Sequence, residues 1–151
     1  MTVNVQLTRV SNRAPFSALL LLGDEDPEIL ATYMDAGDLF VATTPTGQTV
    51  GVALIIQTGT QIELKNIAVA PTEQHKGIGR QLVQAVLTHY RGRATEVVVG
   101  TGDADVQNQL FYLRNGFRYV AVKKDFFVQY HQPIFANGVQ LRDMVMLTRK
   151  I

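Results

Sequence analysis

The chain has 151 residues, of which 46% are hydrophobic and 18% are charged, so it can bury the core of one domain, which we expect to span residues 1–151. The absence of cysteine excludes thiolate nucleophiles, disulfides and cysteine-ligated zinc. A net charge of +1, with no basic cluster larger than Lys123-Lys124, argues against a nucleic-acid partner.

The first part of the chain combines a strand pattern with two short helix patterns. Residues 3–10 alternate apolar and polar side chains, which predicts a strand with one buried face. Residues 14–22 predict a buried helix that ends near Gly23, although the leucine run also fits a buried strand. A second helix is expected to begin after Asp26, its N-cap, and to end at Gly37.

Three further runs predict a β-meander that leads to the centre of the chain. Residues 38–43 and 49–57 are rich in β-branched and apolar side chains, and a turn sequence, Thr44-Pro45-Thr46-Gly47, joins them. A second turn leads into a predicted strand at residues 61–69. Strands joined in series by such short turns pair in antiparallel fashion.

The remaining elements predict a mixed sheet. Residues 81–90 carry a helical apolar stripe, and the strand at residues 95–100 follows this helix, so we expect it to pair in parallel with its predecessor. Another helix is expected at residues 105–115, and the last two strands at residues 117–122 and 140–147.

An aromatic segment at residues 125–135 separates the last two strands. It is unusually apolar for a loop, so we expect part of it to pack, either on the core or against a second molecule. This is the reason to consider a homodimer that forms through the C-terminal strands. Asn137-Gly138, just before the last strand, is a strong hairpin turn signal.

The chain shows no pattern for a membrane or a metal ion. No apolar run approaches the roughly 18 residues of a membrane helix, and the first residues lack the pattern of a signal peptide. His75, His89 and His131 lie far apart and lack the spacing of a metal site. We therefore expect a cytoplasmic protein that binds no metal.

The most informative stretch is Gln74-His75-Lys76-Gly77-Ile78-Gly79-Arg80, which lies between a predicted strand and a predicted helix. A glycine-rich turn at the start of a helix directs free backbone N–H groups and the positive end of the helix dipole to one point. The two glycines also allow the backbone to approach an anion closely. The stretch therefore suits a phosphate or a pyrophosphate.

Other interpretations of the loop fit less well. A Walker loop ends in Gly-Lys-Ser/Thr, but here Arg80 follows the second glycine. A dinucleotide fingerprint needs a third small residue at the position of Leu82. A tight turn without a ligand is the remaining alternative for so short a match.

The loop, with its pattern Q-x-x-G-x-G and a following basic residue, resembles the coenzyme A pyrophosphate loop of the GNAT superfamily of N-acetyltransferases. Residues 63–71 are similar to the cofactor-binding strand of that family, and residues 111–117 to its L-Y-x-x-x-G-F helix. The C-terminal segment from Asp125 to Met144 resembles the YvbK-like group. This resemblance implies a single-domain α/β (α+β) fold, with a mostly antiparallel mixed sheet of six or seven strands and about four flanking helices.

The resemblance also implies acetyl-CoA as the cofactor and names residues to hold it. The backbone of the cofactor strand would pair with the pantetheine arm, and the glycine loop would hold the pyrophosphate. Many relatives carry Asn where this chain has Asp105, so Asn108, one helical turn before Tyr112, is an alternative cofactor contact. The implied cofactor residues are Ile67, Ala68, Val69, Gln74, His75, Lys76, Gly77, Ile78, Gly79, Arg80 and Asn108.

Two residues are candidates for acid–base chemistry. Glu63 lies where several GNAT enzymes keep a catalytic glutamate, and could act as the base through a water, or could be an exposed strand carboxylate without a catalytic role. Tyr112 is the candidate acid that protonates the departing thiolate, and its structural alternative is a core aromatic. The resemblance places a backbone N–H that binds the oxyanion near Val69, where the strands of the family separate.

These residues together predict an acetyl-CoA-dependent N-acetyltransferase that transfers the acetyl group directly to a primary amine of a small molecule or a peptide. Two alternatives stay open. A non-catalytic acyl-CoA-binding or regulatory module would bind the cofactor without turnover, and a nucleotide-phosphate binder would prefer ATP or NAD.

Overall fold

The computed structural model describes residues 5–151, so residues 3 and 4 of the predicted first strand lie outside the described residues. Four α-helices, with a short 3-10 turn at Ala14–Phe16 before the first, are α1 Ser17–Gly23, α2 Pro27–Ala31, α3 Ile78–Tyr90 and α4 Val106–Arg114. The strands are β1 Gln6–Val10, β2 Asp38–Thr43, β3 Thr49–Thr58, β4 Gln61–Val69, β5 Glu96–Gly102, β6 Arg118–Lys123, β7 Phe135–Ala136, β8 Val139–Gln140 and β9 Met144–Lys150.

Seven of the strands form one mixed sheet in the order β1-β2-β3-β4-β5-β9-β6. Every neighbouring pair is antiparallel except β4 and β5, which the crossover through α3 joins in parallel. β7 and β8 form a separate small hairpin. The predicted α/β class, the mostly antiparallel mixed sheet and the four helices are confirmed.

A bulge in β4 determines which side chains reach each face of the sheet. Before the bulge, Ile62 and Leu64 are buried in the cluster that contains α3. The register with β3 shifts so that Lys65 is the extra residue, since Leu54 pairs with Asn66 and Ile55 with Leu64. After it, the even-numbered residues, such as Ala68, belong to the cluster that contains α1 and α2.

The helices bury both faces of the sheet. α3 contributes Leu82, Val83 and Val86 to one cluster, and α4 adds Tyr112. On the opposite face α1 and α2 are short and bury one side chain each, Leu20 and Leu30. The leucine run at the chain start is therefore helical, and α3 matches its expected end at Tyr90.

Two boundaries differ from the predicted ones by more than three residues. The second helix ends at Ala31, and turns replace it before Gly37. Thr32 closes the last helical turn by donating its N–H and its hydroxyl to the Ile29 carbonyl. The last strand begins at Met144, because Asn137 and Gly138, both at positive φ, close the separate β7–β8 hairpin. Among residues 5–151, no helix is long and apolar enough to cross a membrane.

Candidate active site

β4 and β5 pair over only three residues and then separate. Their register ends at Glu63 opposite Val98, while β4 continues to Val69. Residues 67–69 pair with β3 on one side, and no described strand pairs with their other edge. The backbone groups on that edge are available to an extended ligand.

The separation begins earlier than the resemblance suggests. The expectation placed it near Val69, but the last β4–β5 pair is Glu63 with Val98. The bulge at Lys65 follows immediately, and a bulge bends its strand and increases its twist, which carries β4 away from β5. A donor for an oxyanion is therefore to be sought from Leu64 onwards.

The glycine loop connects the open end of β4 to α3 with a strained backbone. Gln74 Nε2 donates to the Val69 carbonyl over 3.1 Å, which ties the loop to the strand. His75 and Gly77 take left-handed conformations, with φ of 64° and 82°. Among the described residues, no side chain caps α3, whose first helical bond runs from Gln81 N–H to the Gly77 carbonyl. The preceding N–H groups are thus available for an anion.

The side chains of the loop contribute unequally. Ile78 is only 1% exposed and lies in the core, so the loop offers only its backbone at this position. A Cβ on Gly79 would lie 3.1 Å from the Phe111 ring, so the absence of a side chain at this position leaves the backbone surface open. Lys76 pairs with Glu73 over 2.9 Å, whereas His75 and Arg80 are exposed. This glycine-lined surface beside a free strand edge fits a pyrophosphate with an extended arm.

Helix α4 lies between the end of β5 and the glycine loop. Asp105 caps it by accepting from the Asn108 N–H over 3.2 Å, which explains the acidic residue at this position. Asn108 Nδ2 donates to Thr101 Oγ1 of β5 over 3.4 Å, and its side chain stays exposed. Phe111 packs against Gly79, so α4 contacts both sides of the opening between β5 and the glycine loop.

Tyr112 is buried behind this opening. Its ring packs edge-on against Phe111 at 5.2 Å and Phe117 at 5.6 Å between centroids, and it is 3% exposed. Burial, followed by the charge of Asp105, raises the pKa of the Tyr112 hydroxyl above its usual value. Because it makes no hydrogen bond to the described residues, this neutral hydroxyl can donate to a ligand.

Glu63 lies on the face of the sheet that α1 and α2 cover in part. It pairs with Ile56, which packs on the α1–α2 cluster, and it lines an open groove of about 310 Å³ over β3 to β6. Its neighbours Ile62 and Leu64 point to the opposite face. Strand alternation alone could not distinguish these faces, and the structure places Glu63 towards solvent.

A hydrogen-bonded cluster on this same face was not found from the sequence. Tyr33 donates to Asp24 Oδ2 over 2.9 Å and accepts from Asn66 Nδ2 over 3.0 Å, and the Tyr130 hydroxyl interacts with Asp24. Burial raises the pKa of the Asp24 carboxyl by more than its hydrogen bonds lower it. Its members come from separate segments and form no motif, so no sequence signal joins them.

A neighbouring contact holds the aromatic segment on the same face. His131 donates its backbone N–H to Asp26 Oδ2 over 3.0 Å, and its ring lies 3.0 Å from the same oxygen and 2.9 Å from Glu28. These bonds lower the pKa of Asp26 to about 2, while Asp26 and then Glu28 raise the pKa of His131. The aromatic segment therefore packs on the α1–α2 loop, as its composition suggests.

Comparison with known proteins identifies relatives of this arrangement. Residues 35–119 match the family described as the acetyltransferase (GNAT) domain. The chain is 37% identical over 132 residues to YvbK of Bacillus subtilis (strain 168), an uncharacterized N-acetyltransferase, covering 85% of this chain and 84% of that protein.

Two solved structures share the complete fold. A GNAT acetyltransferase from Elizabethkingia anophelis with acetyl-CoA bound is 31% identical, with a TM-score of 0.91 over 98% of this chain and 99% of that one. A Bacillus subtilis acetyltransferase in complex with CoA is 32% identical, with a TM-score of 0.87 and the same coverage.

Proposed function

The chain belongs to the GNAT family of acetyltransferases, and we propose that it transfers the acetyl group of acetyl-CoA directly to a primary amine. The observation that carries this proposal is the edge of β4 that no described strand pairs with, beside the N-terminus of α3, which no described side chain caps. The relatives that contain acetyl-CoA or CoA support this cofactor. We propose that residues 1–151 form one acetyltransferase domain.

The proposed cofactor contacts are mostly backbone groups. The edge of residues 67–69 would pair with the pantetheine arm, and the N–H groups of residues 77–80 would bind the pyrophosphate. Arg80, which makes no ion pair within residues 5–151, would add a charge, and Lys76 would first have to leave Glu73. Asn108, at the exposed end of α4, is the proposed contact on the other side of the opening.

The bound cofactor supplies a thioester carbonyl, which the amine nitrogen attacks, and a thiol as the leaving group. An alkylammonium with a pKa of about 10.4 is neutral in roughly one molecule in 2,500 at pH 7, so a base near the acceptor is useful. Glu63 would take that first proton, directly or through water. Tyr112 Oη would protonate the sulfur as the C–S bond breaks. The second proton of the nitrogen, released once the C–N bond has formed, would pass through water and restore the Tyr112 hydroxyl.

The acceptor is a small-molecule or peptide amine that enters from the α1–α2 face, where Glu63 lies. We also propose a cytoplasmic location and a homodimer through the C-terminal strands. Exposed apolar side chains on the edge strand β6, at Tyr119, Val120 and Val122, support such an interface. Sedimentation at tens of micromolar that detects only monomer would contradict the dimer.

Calorimetry followed by a turnover screen tests the proposed function. We expect micromolar binding of acetyl-CoA and no comparable binding of ATP or NAD. A library of primary amines with acetyl-CoA should then release CoA thiol and yield an acetylated amine by mass spectrometry. Binding without turnover of any amine would favour a non-catalytic module, and absence of binding would refute the cofactor assignment.

A further inference from the structure

The polar cluster of Asp24, Tyr33, Lys65 and Tyr130 has the composition of a cation site, and we call it the ammonium pocket. Its members come from the α1–α2 loop, the turn after α2, the bulge of β4 and the aromatic segment. It lies on the same sheet face as Glu63. Its role as the binding site of the acceptor rests on the proposed function.

The carboxylate of the pocket is held by neutral donors rather than by a fixed ion pair. Tyr33 donates to Asp24 Oδ2 over 2.9 Å, the Asp26 N–H contacts Oδ1 at 3.5 Å, and the Tyr130 hydroxyl interacts with the same group. None of the ion pairs within 4.0 Å among residues 5–151 includes Asp24. A half-buried carboxylate in this state keeps its charge available to a cation.

Asn66 connects the pocket to the proposed cofactor strand. This residue is 3% exposed, and its Nδ2 donates to Tyr33 Oη over 3.0 Å and to the Leu20 carbonyl over 2.8 Å. A Cβ on Gly23 would lie 2.0 Å from Asn66 Oδ1, so α1 can end here only with glycine, directly before Asp24. The next residue after Asn66 is Ile67, the first proposed pantetheine contact. The carboxylate is therefore fixed relative to the strand that would hold the thioester.

The chain itself places an alkylammonium in this pocket. Lys65 Nζ lies 5.0 Å from the centroid of the Tyr33 ring, a cation–π distance, and its charge acts on Asp24. The Lys65 side chain ends in the same four-carbon ammonium as n-butylamine. The cluster thus already interacts with the same chemical group that a primary amine acceptor would present.

We propose that Asp24, Tyr33 and Tyr130 bind the ammonium group of the acceptor amine, in competition with Lys65 Nζ. Asp24 selects the protonated form of the acceptor amine, which predominates at pH 7, and the Tyr33 ring covers the apolar side of the acceptor. Glu63 then serves as the base on the same face. The acceptor class is a primary alkylamine rather than a neutral alcohol or amide.

An NMR titration without acetyl-CoA tests this site separately from turnover. n-Butylammonium chloride is added to ¹⁵N-labelled protein, with potassium chloride as the control for ionic strength. We expect the largest amide shifts at residues 24, 33 and 130. Asp24→Asn should weaken the affinity about tenfold or more, since it removes a charge-assisted contact. Lys65→Met should strengthen it roughly threefold, since it removes the internal competitor.

Matched variants separate the pocket from general charge effects. Glu25→Gln removes the same charge from the adjacent exposed residue and should leave the affinity unchanged. If Asp24→Asn fails to fold, Tyr130→Phe tests the same site, and it should also weaken the affinity. Equal affinities for wild type and the Asp24 and Tyr130 variants, or shifts that cluster elsewhere, would overturn the pocket. Failure of the amine screen with a positive titration would refute the proposed function instead.

Discussion

The two sides of β4 differ in how their proposed sites are formed. On the cofactor side, a contiguous loop and one strand edge supply mainly backbone groups, through residues 67–69 and 74–80. On the acceptor side, side chains from four separate segments meet at Asp24. A backbone site depends on local conformation, which neighbouring residues determine, whereas a side-chain pocket depends on the whole packing. The cofactor site is therefore easier to predict from the sequence, and the acceptor site is more open to variation in substrate.

The largest expected effect is on the chemical step and leaves binding on both sides of β4 unchanged. Tyr112→Phe should lower kcat about 100-fold or more, because it removes the proposed proton donor, and should leave acetyl-CoA affinity unchanged. Since Tyr112 makes no hydrogen bond to the described residues, the stability should change little. Steady-state kinetics with the best amine of the screen measures it. Tyr119→Phe, which also loses a tyrosine hydroxyl, is the control and should retain full kcat.

The next effect belongs to the cofactor side alone. Gly79→Val adds a side chain whose Cβ alone would lie 3.1 Å from the Phe111 ring, and it crowds the proposed anion surface. A displacement that costs about 2–3 kcal/mol weakens acetyl-CoA binding roughly 30- to 150-fold by calorimetry. Gly59→Ala, at a positive-φ turn with open space around it, is the control for glycine loss. An unchanged affinity in Gly79→Val would place the pyrophosphate elsewhere.

A smaller effect belongs to the acceptor side. Tyr33→Phe removes the hydroxyl between Asp24 and Asn66 and should cost about 1–2 kcal/mol in the free energy of unfolding, as measured with urea. It should also raise the KM for the amine without affecting acetyl-CoA binding.

Tyr90→Phe is the matched control for the loss of the Tyr33 hydroxyl. Tyr90 donates to Asp38 over 2.6 Å and belongs to the α3 cluster, whereas Tyr33 belongs to the α1–α2 cluster. Tyr90→Phe should therefore cost similar stability and leave the amine KM unchanged. Equal KM values for the two variants would contradict an acceptor pocket at Tyr33.

The smallest effect concerns the contact that holds the aromatic segment on this face. Asp26 and Glu28 raise the pKa of His131, so its contribution to stability is complete below about pH 6.5 and is lost as pH rises through the folded-state pKa. The contribution of Asp26, whose pKa is lowered to about 2, is lost as the pH falls from about 4 to that value.

Denaturation of wild type and His131→Gln at pH 5 and pH 8.5 measures this dependence. The stability difference between the two proteins should be larger at pH 5, where the charged ring faces both carboxylates. An equal difference at both pH values would show that the ring charge contributes nothing.

The sequence predicted most of the fold because its signals are local. β2 and β4 have the predicted ends, and Asp26 caps α2 as predicted. The misplaced start of the last strand has a local cause as well, since the Asn-Gly turn closes a hairpin of its own.

The sequence by itself determined the family and the mostly antiparallel mixed sheet, because turn residues, caps and periodicity act between near neighbours. From the same local signals it predicted the glycine loop as the site of the pyrophosphate. The tertiary structure alone decided which face Glu63 takes, because one bulge at Lys65 reverses the alternation of β4. It also decided that Ile78 offers only its backbone, and that Asp24, Tyr33 and Tyr130 meet. Such contacts form between residues up to about a hundred positions apart, and only packing of the complete chain brings them together.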